Sequence, residues 1–359
     1  MVAAPDPFAH HRFMLPRPTA PLLTTLALGS LAAWPAAGQS TAASGALGEA
    51  DALERHHPAL YALVGRLEQA HAALFDELAR QGPADSPDET DNLLISLVRD
   101  PNPKEMANGY GVLGPRAAEV IRWGQAFQRE VLSVLADPDV EDRSATLAAA
   151  VGRYQSRPEA ALPTVPKDMD TLYGHPYALG LRTRFPDLDG VAWAGHWLRL
   201  AATEPLTDLP PGPERTAGVD TVAARYDAKL SYGEPPQSFP TEIPLAPAIA
   251  PGLIWLSPES AMIWDNLSMM LEVLGDGLAS AEAANVPQVI EATIDFFLDP
   301  ELASTDQDEW EIMALRHGIF FQGGFPLSVM TENERNVGGH AAHGSGGRML
   351  MTIPGMPIG

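Results

Sequence analysis

The chain has no cysteine in its 359 residues and only three lysines, Lys104, Lys167 and Lys229. Without thiols there are no disulfides, thiolate zinc sites or iron–sulfur clusters, and no haem attached through a C-x-x-C-H motif. Any bound metal must rest on His, Asp, Glu, Met or Tyr. Scarce lysine contributes to a formal net charge of −23. A field of that sign repels nucleic acid and anionic lipid, and it favours cationic partners. Several chemical signatures are also missing: P-loop, G-x-S-x-G elbow, H-E-x-x-H, EF-hand loop and dinucleotide glycine fingerprint. No segment alternates apolar and polar residues with β-branched enrichment, so strands are at most minor. No repeat of fixed period runs through the chain.

One apolar run stands near the start. Residues 21–34 carry no charge, Arg12 and Arg17 precede them, and Ala36-Ala37-Gly38 follows. Basic, apolar and small residues in that order make a secretory signal peptide over residues 1–38, its core too short to span a bilayer. The alternative is a single anchoring helix, which Pro35 and the small residues disfavour. Met14 is an alternative start, and cleavage after Gly38 would expose Gln39. The expected location is periplasmic or secreted, with no membrane span after signal removal. Losing two arginines and one aspartate takes the charge to −24.

Residues 39–359 read as a single all-α domain. It is a multi-helix, bundle-like globular fold with long Pro-rich connectors and an irregular C-terminal tail. Leu60, Val64, Leu67, His71, Leu74 and Leu78 recur at spacings of three and four, predicting an amphipathic helix from Pro58 to about Gly82. Further helices are expected over residues 115–135, 140–154, 169–181, 188–202 and 216–232, with a linker at 205–213. Residues 233–252 hold six prolines, so they mark a sub-boundary or, preferably, a strap across the surface. Ser257 and Pro258 then open a helix to about residue 274 that is apolar over most of its circumference, which makes it central. Helices at 287–299 and 306–321 follow.

Histidines carry the strongest chemical signal. His71 and His317 occupy apolar helical positions, where a ring needs a hydrogen-bond partner or a metal. A core histidine bonded to a carbonyl or carboxylate is the plain alternative. Glu68 stands three residues before His71, the spacing used by di-iron bundles, but the only other match, Glu54-Arg55-His56-His57, sits just before Pro58 on a different element, which leaves the set incomplete. The stretch 309–347 holds His317, His340 and His343, and the last two lie between glycines that permit a chelating turn. An exposed loop with idle histidines fits that segment as well. His175 and His196 sit among aromatic residues and glycine, suited to a cofactor pocket or to ordinary packing. On the central helix Asp265, Ser268, Glu272 and Asp276 form a polar stripe, and Glu291 and Asp295 repeat it on the next helix. Both stripes are expected to be solvated edges; facing acids in a pocket are the alternative.

These residues predict an exported helical protein that binds a transition metal ion (zinc, copper or iron) or a non-covalent haem. The predicted metal ligands are His71, His317, His340, His343 and Glu68, with His175 and His196 at the cofactor. A redox or metal-assisted enzyme fits that site, with a small molecule or metal ion as its partner. The competing expectation is a non-catalytic periplasmic binding or scaffold protein whose acidic surface meets a basic protein.

Overall fold

A carboxylate starts the first helix. Asp51 accepts the Leu53 N–H at 2.8 Å and caps α1 (Ala52–His56). Pro58, whose missing N–H is harmless in a first turn, opens α2 (Pro58–Gln81). The leucines and valine of its predicted face are buried. The computed structural model describes residues 51–81, 109–231, 243–282, 284–321 and 353–357, all within the compact unit Ala50–Gly359. Residues 1–38, read from the sequence as a signal peptide, and the His340–His343 tail lie outside the described residues.

After α2 come α3 (Pro115–Ala136), α4 (Arg143–Gln155), α5 (Thr171–Gly174), α6 (Gly180–Arg184), α7 (Pro186–Asp208) and α8 (Pro213–Ser231). They are followed by α9 (Ala246–Ile249), α10 (Pro251–Leu256), α11 (Pro258–Ser280), α12 (Val286–Leu298) and α13 (Gln307–Phe321). The fold is all-α. Among the described residues the one β feature is an isolated bridge between Lys167 and Ser304, and no helix is long and apolar enough to cross a membrane.

Helix α11 is the hub, as its all-round apolarity predicts. It runs on to Ser280, capped by Ser257, and touches α2, α3, α6, α9, α10 and α12. Two hydrophobic clusters flank it. One gathers Phe75, Leu181, Leu274 and Phe297, the other Phe127, Trp197, Ile263 and Trp264. Each such buried side chain contributes roughly 1.5–3 kcal/mol.

Tertiary structure overturns three local expectations. The helix expected over 169–181 is broken into α5 and α6, because Pro176 forces the preceding His175 out of the helical region, to φ −86 and ψ 160. The linker expected at 205–213 is helical as far as Asp208. Pro205 lies inside α7, and its ring packs against Gly218, where a Cβ would stand 2.8 Å from it. The supposed surface strap is interior over its described part: Ile243 and residues 245–250 are buried.

The polar stripe of α11 is also not a solvated edge. Asp265 is 1% exposed. Its two oxygens accept the Ala246 N–H at 3.0 Å, and one accepts the Trp310 indole N–H at 3.0 Å. Asp276 accepts the N–H groups of Leu179 at 2.8 Å and Leu181 at 2.9 Å, holding the start of α6. These acids are internal anchors, ordered by the backbone donors they satisfy. The second stripe is as expected: Glu291 and Asp295 face solvent and clamp Arg116 at 2.8 and 2.6 Å.

Candidate functional site

Where α2, α3 and α7 meet, polar groups collect inside an otherwise apolar wall. Helix periodicity places Glu68 and His71 on one side of α2 and His196 and Arg199 on one side of α7. Tyr110, from the loop before α3, and Gln125, on α3, complete the group. The Gln125 amide donates to the Tyr110 hydroxyl at 2.7 Å, and that hydroxyl lies 3.3 Å from His71 Nδ1. With its oxygen receiving the amide proton, Tyr110 can direct its own proton to Nδ1, which leaves the proton of neutral His71 on Nε2. The His71 and His196 rings are 6.4 Å apart between centroids.

Tyr110 sits at φ 65, a left-handed conformation that costs a non-glycine residue on the order of 1 kcal/mol. Two contacts hold the strained turn. Asp76 accepts the Val112 N–H at 2.9 Å, and Arg122 donates to the Gly109 carbonyl.

Charge in this group is one-sided. Arg199 is 5% exposed, and its Nε has no hydrogen-bond partner. Glu68, the carboxylate within its field, is instead bound by Arg129 at 3.1 Å. Burial raises the Glu68 pKa, against the pull of Arg129 and Arg199, and one of its oxygens is unpaired. Burial drives His196 down to about 3, with Arg199 adding to the effect. It also pushes His71 well below its ordinary value, helped by Arg199 and His196. Both rings are therefore neutral, and both nitrogens of His196 lack partners. Among the described residues, no carboxylate forms an ion pair with the Arg199 guanidinium. Beside it lies a cavity of about 20 Å³, bounded by Arg199, His71 and Gly195 together with leucines of α2 and α7. That is the room of one water molecule or one small ion.

Of the sequence-predicted residues, the structure brings Glu68, His71 and His196 together. His175 is buried against α11, its Nε2 3.5 Å from Asp276 Oδ2. Residue 317 lies on α13, but its side chain is outside the described residues, as are His340 and His343. Sequence reasoning missed Arg199, Tyr110 and Gln125. The position of Arg199 three residues after His196 was the available signal.

Neutral imidazoles suit a metal, yet two of them on one tetrahedral ion stand with centroids about 5 Å apart, closer than these rings. Among the described residues, no three His, Asp or Glu side chains are grouped to hold a metal ion. A haem would need a pocket on the order of several hundred Å³, which this cavity does not offer. No family model, curated protein or solved structure matches the chain.

Proposed function

We propose that this is an exported helical binding protein whose buried pocket takes one small inorganic anion, of chloride size, between Arg199 and His71. The observation carrying the proposal is buried Arg199, its Nε without a partner and no carboxylate in an ion pair with it among the described residues, lining an ion-sized cavity. A buried cation without a counter-charge is costly, and an anion there would offset it. His71, with its remaining proton on Nε2, is a donor suited to the same ion. Its neutral state fits as well, since Arg199 already supplies the single positive charge that a monovalent anion requires.

Thermal unfolding at constant ionic strength, with chloride replaced stepwise by gluconate, tests this. Wild-type protein is expected to melt a few degrees higher in chloride, because a ligand bound only to the folded state stabilises it by mass action. Arg199→Met should melt at one temperature in both salts. Equal melting of the wild type in both salts would overturn the proposal.

A second reading, in which Glu68, His71 and His196 bind a transition metal ion, is favoured by the 6.4 Å approach of the two rings and by their neutrality. Binding would require the rings to approach by about 1 Å. Zinc titration of chelator-treated protein decides it: one tightly bound ion, lost in His71→Ala and in His196→Ala, is its expected result. The charge of −23 further supports a basic protein as partner of the outer surface.

A further inference from the structure

A cleft of about 760 Å³ opens where the first turn of α4, the end of α7, the start of α8 and the end of α10 meet. Its size is that of a small-molecule site. The charges on its walls are sorted by depth. Arg215, at 3% exposure, lies deepest, and Arg143 is half-buried. Glu141 and Asp208 are exposed at the rim.

Among the described residues, neither arginine has a carboxylate bound to it. Arg215 donates to the main-chain oxygens of Leu209, at 2.8 Å through Nε, and of Leu135, at 3.4 Å. Arg143 reaches the Leu206 carbonyl at 3.0 Å through Nη1. Asp137, whose charge acts on Arg143, is engaged with Arg55 at 3.6 Å. The two guanidiniums are close enough for Arg143 to depress the pKa of Arg215, after the larger effect of burial. Carbonyls satisfy hydrogen-bond donors but do not neutralise charge.

The acids at the rim are not all available. Asp142 accepts the Ala145 N–H at 2.9 Å and caps α4. Asp208 touches Thr207 Oγ1 at 3.4 Å. Glu141 and Asp208 therefore present negative charge at the mouth. Val140, Leu209 and Leu256 contribute hydrocarbon to the same wall.

We propose that this cleft binds an apolar zwitterion of the amino-acid type. The carboxylate lies inward against Arg143 and Arg215, the ammonium outward toward Glu141 and Asp208, and the side chain against Val140, Leu209 and Leu256. Arginine pairs recognise planar oxyanions through charge-assisted hydrogen bonds. Matching both ends of the ligand discriminates against molecules that carry only one charge.

Calorimetric titration of the full chain with L-leucine, isovalerate and isoamylamine tests this, since the last two each lack one charged group. Leucine is expected to bind saturably, and each truncated ligand at least about tenfold more weakly, the loss of one charge-assisted contact. Arg143→Met should abolish leucine binding. Asp208→Asn, a surface change that leaves folding intact, should bring leucine affinity down toward that of isovalerate. No leucine binding at millimolar concentration, isovalerate binding as tightly as leucine, or unaltered leucine binding by folded Arg143→Met would each overturn the proposal.

Discussion

Glu204 shows how one buried acid links burial to pH. It is 3% exposed, its Oε1 accepts the Gly252 N–H at 3.0 Å, and its Oε2 has no partner. Burial lifts its pKa to about 7; the Gly252 hydrogen bond opposes the rise and Asp208 adds to it. The folded chain then keeps a proton that the unfolded chain releases near its ordinary value of 4.5. The associated stability is full below that value and is lost as pH rises through about 7. Glu204→Gln removes this dependence. Urea unfolding at both ends of a window from about pH 4.5 to 8 should show the variant gaining on wild type by on the order of 3 kcal/mol. His196 acts in the opposite sense: its stability is full above the ordinary imidazole value and is lost as pH falls toward about 3. Glu68 and His71 were legible as polar residues on an apolar helical face. Arg199 was not, because α7 is buried on most sides and its sequence does not mark which side meets α2.

Elements are fixed here by close approach. Gly180 begins α6 directly against α11: a Cβ would stand 2.1 Å from Ser280 Oγ and 2.7 Å from the Asp276 main-chain oxygen. The hydroxyl can rotate away, whereas the main-chain oxygen cannot. Gly180→Ala is therefore expected to destabilise by roughly 1–3 kcal/mol. Gly152, on α4, has nothing within 4 Å of a Cβ, so Gly152→Ala should raise stability by about 0.5–1 kcal/mol through helix propensity. Chemical denaturation of both variants checks the contrast; equal effects would show that the α6–α11 contact yields freely. Periodicity and caps announced α2, α3, α11 and α12. The break at His175-Pro176 and the helical Pro205 depended on local sterics and on packing partners far away in sequence.

At the scale of the whole molecule, the N-terminal segment and the charge make a further prediction. Expressed in a host that exports proteins, the mature chain is expected to begin at Gln39 and to be recovered outside the cytoplasm. N-terminal sequencing of the purified protein checks this, and an intact Met1 or Met14 start on the folded product would sink it. The acidic balance of −23 is a property of the entire surface, so it bears on solubility and partner sign and not on which helices pack together.

By itself the sequence determined an all-helical chain without thiol chemistry, a central apolar α11, and histidines in positions that demand a partner. Those properties follow from residue type and from spacing along one helix, which are local. Only the tertiary structure decided which helices face each other. It turned the α11 stripe into buried anchors, set Arg199 beside the histidine pair, and assembled Arg143 and Arg215 from different helices around one cleft. Electrostatic environment is set by neighbours in space, and a helix does not encode the charges of the helices that will cover it.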